Sequence, residues 1–374
     1  MEIKINKESK KRKYILELLK SIVSLTPSKI EDKGHIYIKA TDKLEIRGTD
    51  NLIEIWATIS KDDIEIVKEG EVLVNARKLY MLLKEMNEDV VLKKGKTLSI
   101  KGNKSSFRLP LIESKAYNRL KNEGGADPAC SFNIKSDVFL DMLNKVSVFV
   151  GKDDDEFVLN GICFHIEDKL KMISTNRSHL LYASGSISDK EAKDKKPKYM
   201  IPEKSSRRIK DILKLEDVEN INISFYGGNI CVFKCKNIMF ISRLLNCKFP
   251  PYDKMIDKEY KIKVSVEVDK LKDAVKQTTI MVDNLFSPIW LNIFREEIIV
   301  STDDKNPNYG SINILCNRQE GEDLLIRIGG DALLKFLKVI DQKDIVLCFN
   351  SDKDFYSVKM KDWEYIGTPL IPLE

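Results

Sequence analysis

Carboxylates are the first residues of this chain that could do chemistry. Asp153, Asp154, Asp155 and Glu156 form one run, and clustered carboxylates can bind Mg²⁺ for phosphoryl chemistry. An acidic run in a loop is also an ordinary solvated surface. The sequence contains no second carboxylate motif and no lysine-containing phosphate loop to support a metal site. A metal-dependent enzyme that uses residues 153–156 is therefore an alternative hypothesis and not the main one.

Histidines and cysteines add little further chemistry. His35, His165 and His179 each lie within or beside a strand-like run, without a Ser, Cys or Asp at a recognised catalytic spacing. Seven cysteines at irregular spacing are a poor disulfide framework and are typical of small core residues. Cys231 and Cys235 lack a second Cys or His pair at the spacing of zinc ligands. We therefore expect no catalytic residue, no metal ion and no cofactor.

The composition is that of a globular protein. The chain has 374 residues, of which 43% are hydrophobic and 32% are charged, and this length allows two or three domains. The sequence has no apolar run near the ~18 residues that a membrane-spanning helix needs. Its N-terminus lacks the apolar core and cleavage site of a signal peptide. We expect a cytoplasmic protein without a membrane partner.

A threefold repeat organises the chain. An apolar alternating run leads to a threonine followed by Asp or Asn at Thr49, Thr175 and Thr302, with intervals of 126 and 127 residues. This period exceeds the ~20–50 residues of solenoid repeats, so it indicates a triplicated domain. Polar stretches with Gly or Pro near 114–130 and 251–261 have the composition of linkers. We expect three domains, at residues 1–128, 129–256 and 257–374.

Each repeat has the same predicted elements: an amphipathic helix, a strand hairpin, a second helix and further strands. Apolar residues recur at spacings of three and four in the helical segments, as a half-buried helix requires. Helices packed on one face of antiparallel sheets predict the α+β class. The helices are expected near residues 9–24, 75–86, 136–150, 203–214, 268–282 and 331–340.

Positive charge is concentrated in these helices. The chain has a net charge of +5, whereas the six helical segments together carry +10 and the remaining residues −5. A solubilising helix surface is the alternative explanation, but it does not predict that the helices are positively charged and the rest of the chain negatively charged. A surface lined by such helices would attract phosphate backbones without reading their sequence. The residues expected to face the phosphates are Lys10, Lys11, Arg12, Lys13, Arg77, Lys78, Lys204, Arg207, Arg208 and Lys210.

Four stretches of the sequence carry a family resemblance. They are GEVLVNARKLYMLLKEM, EFVLNGICFHIEDKLKMISTN, SRLLNCKFPPYDKMI and the C-terminal YIGTPLIPLE. The third contains a Phe-Pro-x-Tyr element at Phe249, Pro250 and Tyr252. Through these stretches, and in their order and spacing, the chain resembles the β sliding clamps, the β subunits of bacterial DNA polymerase III, over nearly its whole length.

The resemblance implies a ring. Two chains would join head to tail into a homodimer of six domains, with twelve helices around a hole. At ~8–10 Å per packed helix, the hole would have a circumference of about 100–120 Å and a diameter of about 35 Å, wide enough for duplex DNA. The implied function is to encircle double-stranded DNA and tether the replicative polymerase, which confers processivity. The metal-dependent alternative would be a DNA-processing enzyme.

A groove for short linear peptides is also implied by the resemblance. Its ligands would come from the polymerase α subunit, the clamp loader and other proteins with clamp-binding motifs. An apolar slot edged by a few polar groups suits a hydrophobic peptide, although core packing is the alternative role for any single residue. Carried over by position, the lining would be Leu159, Thr175, Leu180, Pro250, Lys254, Met255, Phe355, Ser357, Thr368, Pro369 and Leu370.

Some positions depart from the family pattern. Residues 176–179 read NRSH, Pro251 follows Pro250, and the helix near residue 331 begins IGGDALLKFL. These departures predict a divergent member of the family with its own peptide preference.

Overall fold

The computed structural model describes residues 1–25, 34–120, 127–151, 157–192, 196–227, 229–256, 258–283, 287–305 and 307–371. Within them lie six α-helices and 25 β-strands, which confirms the predicted α+β class. No helix in this part of the chain is long and apolar enough to cross a membrane.

The first repeat begins both of its helices with a side-chain cap. Ser9 Oγ accepts the Lys11 N–H at 3.2 Å, and Asn75 Oδ1 accepts the Lys78 N–H at 2.9 Å, as N-cap residues do. The elements are β1 (Glu2–Ile5), α1 (Lys10–Val23), β2 (His35–Ala40), β3 (Lys43–Thr49), β4 (Ile53–Ser60), β5 (Glu65–Lys68), β6 (Gly70–Asn75), α2 (Ala76–Glu85), β7 (Val90–Lys94), β8 (Thr97–Lys101) and β9 (Ser106–Pro110).

The second and third repeats follow the same order of elements, except that a single strand, β13 or β21, takes the place of β4 and β5. The second contains β10 (Cys130–Lys135), α3 (Ser136–Val146), β11 (Gly161–Ile166), β12 (Lys169–Thr175), β13 (His179–Ala192), β14 (Lys198–Pro202), α4 (Glu203–Leu213), β15 (Asn220–Tyr226), β16 (Ile230–Cys235) and β17 (Ile238–Arg243). The third contains β18 (Ile262–Glu267), α5 (Val268–Ile280), β19 (Pro288–Ile293), β20 (Glu297–Ser301), β21 (Ser311–Glu320), β22 (Leu324–Gly329), α6 (Gly330–Leu337), β23 (Asp344–Phe349), β24 (Tyr356–Lys359) and β25 (Trp363–Gly367).

All six predicted helices are confirmed, and each ends one to four residues earlier than predicted. The largest difference is at α3, which ends at Val146 and continues as a 3₁₀ turn over Ser147–Phe149. A short strand also precedes every helix, which the sequence analysis did not predict for most of them. These strands have only four to six residues, and so short a run carries little periodic signal.

Two compact units divide the chain. The first comprises Met1–Asp137, Ile187–Pro197 and Lys204–Asn246, and the second comprises Val138–Ser186, Lys198–Glu203 and Cys247–Glu374. Each unit contains one long antiparallel sheet built by two successive repeats. The strand order is β6-β2-β3-β4-β17-β16-β15-β10-β13 in the first unit. It is β14-β11-β12-β13-β25-β24-β23-β18-β21 in the second unit.

Each unit also contains a shorter sheet, which matches half of a long one. The order is β5-β1-β7-β8-β9 in the first unit and β22-β19-β20-β21 in the second. Strand β9 is at the edge of one short sheet, and residues 311–315 of β21 are at the edge of the other. Among the described residues, neither edge pairs with a further strand.

Arg12 corrects one prediction about the basic residues, because it does not face solvent. Only 9% of this residue is exposed. Its guanidinium donates to the backbone carbonyls of Leu83 at 3.0 Å and Glu88 at 2.5 Å, and also to that of Met86. These carbonyls lie in and just after the last turn of α2, where helical carbonyls lack partners within the helix. Arg12 therefore joins α1 to the end of α2.

Replacing Arg12 should destabilise the protein more than replacing its exposed neighbour. We expect Arg12→Met to lower the free energy of unfolding by about 2–3 kcal/mol, because it leaves buried carbonyls without donors. Lys13→Met, on the same helix and exposed, is the matched control and should change it by less than about 0.5 kcal/mol. Urea denaturation followed by circular dichroism measures both. Equal midpoints for the two variants would show that Arg12 has no such role.

Candidate functional site

Two cavities in the second unit share Ser178 and His179 and contain most of the predicted groove residues. The small cavity has a volume of about 200 Å³, and the large cavity about 770 Å³. The small cavity is lined by Leu159, Thr175, Arg177, Ser178, His179, Leu180, Phe249, Pro250, Pro251, Tyr252, Met255, Phe355 and Ile366. The large cavity is lined by Ser147, Val148, Phe149, Val150, Gly151, Asn176, Ser178, His179, Gly329, Asp331, Ala332, Lys335, Thr368 and Leu370.

The predicted groove residues are distributed unequally between these cavities. Six of the eleven line the small cavity: Leu159, Thr175, Leu180, Pro250, Met255 and Phe355. Thr368 and Leu370 line the large cavity instead, and Lys254 and Pro369 line neither.

Ser357 is the one predicted groove residue that the structure buries completely. Its hydroxyl donates to Glu364 Oε1 at 2.7 Å, and Glu364 is itself only 2% exposed. This is a correction, since Ser357 stabilises the sheet behind the cavity and does not line it.

The Thr-Asx motif of the repeat positions one wall by closing the hairpin between β12 and β13. Thr175 Oγ1 donates to the His179 carbonyl at 2.8 Å, and Asn176 Oδ1 accepts the His179 N–H at 2.9 Å. Arg177, in the turn, has a φ of 78°, a left-handed conformation that such a tight turn requires. The hairpin thereby places His179 and Leu180 in the lining of the small cavity.

The first repeat uses the same closure. Thr49 Oγ1 donates to the Ile53 carbonyl at 2.8 Å, and Asp50 Oδ1 accepts the Ile53 N–H at 2.7 Å. The threonine that revealed the repeat is therefore a hairpin residue in the first two repeats, and in the second repeat it also lines the small cavity.

His179 forms a polar but uncharged part of both cavities. Its ring stacks on Phe149 at 4.9 Å and on Tyr365 at 5.9 Å between centroids. Its Nδ1 lies 3.0 Å from the Tyr365 hydroxyl. Burial, and secondarily the positive charge of Lys335, lowers the pKa of His179 to about 4. The imidazole is therefore neutral at physiological pH.

The Phe-Pro-x-Tyr element forms the opposite wall and is held by its tyrosine. Tyr252 is 2% exposed, and its hydroxyl lies 2.6 Å from His165 Nδ1. Burial, followed by the charge of Lys198, lowers the pKa of His165, so this contact also involves a neutral ring. The Met255 N–H donates to the Tyr252 carbonyl at 2.8 Å. Anchoring Tyr252 therefore fixes Pro250 and Met255 over the cavity.

Seven residues that line the small cavity were not among the predicted groove residues: Arg177, Ser178, His179, Phe249, Pro251, Tyr252 and Ile366. His179 precedes the predicted Leu180 at the start of β13, and Ile366 pairs with Leu180 across the β13–β25 ladder. A search for neighbours of Leu180 would have found His179, but the pairing of β13 with β25 joins residues far apart in sequence.

The arrangement suits binding and offers no catalytic geometry. The small cavity combines apolar walls with a neutral histidine, and these are features of a site for apolar side chains. In the described part of the chain, no group of three or more His, Cys, Asp or Glu residues could hold a metal ion. The acidic run from Asp153 to Glu156 lies outside the described residues.

Net positive charge is concentrated on three helices: α1 carries +4, and α2 and α4 carry +2 each. Several of the basic residues already have partners in the first unit. Lys11 pairs with Asp63 at 3.0 Å, and Lys204 with Asp50. Arg208 donates to the Ser24 carbonyl at 2.6 Å. Lys210 is half-buried. The remaining predicted residues are exposed: Lys10, Lys13, Arg77, Lys78 and Arg207.

Comparison with known proteins gives one consistent result. The family models of the DNA polymerase III beta subunit match residues 11–121 with the N-terminal domain and residues 133–251 with the central domain. The beta sliding clamp of Rickettsia felis is 24% identical over 357 residues, covering 88% of this chain and 92% of that protein. The clamp of Staphylococcus aureus is 24% identical over 360 residues, covering 93% and 91%.

Solved structures agree in fold. A sliding clamp of Pseudomonas aeruginosa bound to griselimycin has a TM-score of 0.89 at 19% identity, with all of both chains covered. The Helicobacter pylori beta clamp bound to a DNA ligase peptide has a TM-score of 0.84 at 19% identity, covering 99% of this chain and 100% of that one. With the two domain matches along the sequence, these findings show that the chain belongs to the β sliding clamps, the β subunits of bacterial DNA polymerase III.

Proposed function

We propose that this chain is a processivity clamp, two copies of which close head to tail around double-stranded DNA. The ring tethers the replicative polymerase to its template and so raises the local concentration of the enzyme. Sliding clamps are processivity factors without intrinsic catalysis, so no reaction is assigned to this chain. Residues 1–128, 129–256 and 257–374 are the proposed clamp domains, a clamp loader and the polymerase α subunit are the proposed partners, and the cytoplasm is the proposed location.

The observation that carries the ring is a pair of unpaired strand edges. Strand β4 pairs with β17 in the first unit, and β13 pairs with β25 in the second. The third-repeat counterpart of β4 and β13 is β21, and the first-repeat counterpart of β17 and β25 is β9. Neither has the corresponding partner among the described residues. Two copies of the chain would supply each edge with its partner. A head-to-tail contact gives a ring instead of a filament when the rotation that relates one copy to the next returns to the first copy.

The repeat also specifies the register of this pairing. Ile55 pairs with Phe240 in one long sheet, and Leu181 pairs with Tyr365 in the other. The equivalent pair is Ser311 with Phe107 of a second copy. Phe240 and Tyr365 are fully buried, whereas Phe107 is 40% exposed. The same position of the repeat is therefore apolar and buried at two junctions, and apolar and exposed at the third. This exposure supports a contact that a second copy of the chain would complete.

Exposed lysines and arginines on α1, α2 and α4 support the DNA-binding part of the proposal. Lys10, Lys13, Arg77, Lys78 and Arg207 are exposed and can meet phosphates without reading bases. Nonspecific contacts of this kind are what a sliding protein requires, because no base sequence holds it in place.

Sliding is tested by loading the protein on nicked circular DNA with a cognate loader and then linearising the DNA. The protein should stay on circles and leave linear DNA, because it is held by topology.

Phe107→Asp should yield monomers on size-exclusion chromatography with light scattering and should not be retained on circles. Val67→Asp is the matched control. Val67 is 50% exposed on β5, the opposite edge of the same short sheet. Retention on linear DNA, or nuclease activity that requires Asp153 to Asp155, would contradict the proposal.

The small cavity is the proposed site for the apolar side chains of partner peptides. Leu180 and Leu159 form its buried base, at 4% and 3% exposure. Met255 and Phe355 are more accessible and would cover a bound side chain. The clamp of Helicobacter pylori, which shares this fold, has been solved with a DNA ligase peptide, and this supports the same class of ligand here.

Truncating the accessible lining should weaken peptide binding and leave the ring intact. We expect Met255→Ala with Phe355→Ala to raise the Kd about 10- to 100-fold, since two apolar contacts are lost. Leu52→Ala is the control, because Leu52 is 55% exposed, belongs to the first unit and lines neither cavity. Fluorescence anisotropy with a panel of labelled apolar peptides measures the Kd. An unchanged Kd would mean that peptides bind elsewhere.

Peptide binding should not vary with pH between about 8 and 5.5. The pKa of His179 is lowered to about 4, so the ring stays neutral throughout this range. The probe is an apolar peptide with blocked ends and no ionisable side chain, so that only the protein titrates. His179→Phe should have the same flat profile. Weakening with a midpoint near the ordinary histidine pKa of ~6.5, lost in His179→Phe, would show that His179 gains a proton in the site.

A further inference from the structure

The first unit contains a counterpart of the small cavity. Phe233 pairs with Phe240 in its long sheet, as Val358 pairs with Tyr365 in the other. This registration makes Ile230 and Ile241 the equivalents of the lining residues Phe355 and Ile366, each 125 residues earlier. It also makes Val232 the equivalent of Ser357, which lies behind the small cavity. Glu54 stands opposite Thr49 as Leu180 stands opposite Thr175, so it is the equivalent of Leu180. The junction of the first two repeats thus has the surface on which the peptide site of the second unit is built.

In the first unit this counterpart is filled by the chain itself. Leu120, 5% exposed, packs in one apolar cluster with Ile230, Val232 and Ile241. Leu120 belongs to the segment that follows β9, just as the Phe-Pro-x-Tyr segment follows β17. The two linkers therefore occupy corresponding places in the repeat, but one enters the surface and the other borders an open cavity.

Glu54 explains why the first linker packs into the apolar surface of the first unit. Its carboxylate, on a residue 2% exposed, accepts the Leu120 N–H at 2.8 Å and the Tyr117 hydroxyl at 3.1 Å. The Tyr117 ring stacks on Tyr37 at 5.6 Å between centroids. A buried carboxylate requires such donors, and the linker supplies them. Its counterpart Leu180 offers no acceptor side chain.

The second linker is anchored in another way. The Tyr252 hydroxyl contacts His165 Nδ1, which holds that linker against the wall and leaves the cavity beside Leu180 open. One change of side chain between repeats, a carboxylate for a leucine, thus accompanies the difference between a filled and an open cavity.

We propose that the first unit holds a second peptide site of the same kind, closed in cis by Leu120, with residues 117–120 as its built-in ligand. The ligand class is a short peptide with a leucine-like side chain, and one protomer consequently offers one open site instead of two. This inference rests on the proposed peptide site of the second unit.

Stoichiometry tests the inference by isothermal titration calorimetry with the blocked apolar peptide described above. The parent protein should bind one peptide per protomer, and no binding would count against the proposed function instead of this inference. Leu120→Ala should bind two per protomer. In the Met255→Ala, Phe355→Ala background, whose open site is weakened, Leu120→Ala should add one tighter site per protomer. Leu83→Ala, a leucine 4% exposed in the same unit, is the control and should stay at one. A folded Leu120→Ala protein that still binds one peptide overturns the inference.

A measurement that leaves the protein unaltered covers the case in which Leu120→Ala does not fold. An acetylated and amidated peptide with the sequence of residues 117–120, YNRL, should compete with the apolar probe for the open cavity of the parent protein. A peptide with alanine in place of its leucine should compete at least tenfold less well. Absence of competition by the YNRL peptide at millimolar concentration would overturn the inference without any variant.

Discussion

Pairing of strand edges is the constraint on which the rest of this structure depends. An exposed strand leaves a row of N–H and C=O groups without partners, and each half-sheet of the repeat ends in such a row. The chain satisfies two of these junctions internally, through β4 with β17 and β13 with β25. We propose that a second copy of the chain completes the third junction, because β9 and residues 311–315 of β21 have no such partner among the described residues. The exposure of Phe107 supports this proposal, since its counterparts Phe240 and Tyr365 are buried.

The same junctions also form the proposed peptide-binding surfaces. Where two repeats meet, the rim of one sheet and the last strands of the next leave an apolar hollow beside the linker. The hollow between the first two repeats is filled by Leu120, because Glu54 binds the linker backbone. The hollow in the second unit remains open, because Tyr252 holds its linker on His165. Both junctions therefore have the same surface, and the side chains that anchor each linker accompany the difference between a filled hollow and an open one.

The basic residues of the helices also have two kinds of role, one collective and one local. The excess of lysine and arginine on α1, α2 and α4 is a collective property that any of several residues can supply. Arg12 shows how a single member of that set can be used differently, since its guanidinium satisfies carbonyls at the end of α2. Without Arg12, the predicted DNA-facing set still includes three lysines in the first turns of α1. These lysines maintain the positive electrostatic field of the helix.

The sequence by itself determined the features that depend on local patterns. Spacings of three and four located all six helices, the recurring Thr-Asx pair revealed the repeat, and four stretches identified the family. Through the family resemblance it also named Leu159, Thr175, Leu180, Pro250, Met255 and Phe355, which line one cavity in the structure. Only the tertiary structure decided the burial of Arg12 and Ser357, the place of His179 and Ile366 in the cavity, and the closure of the first junction by Leu120. These depend on contacts between residues distant in sequence, and local periodicity carries no information about which strands or carbonyls such a side chain will meet.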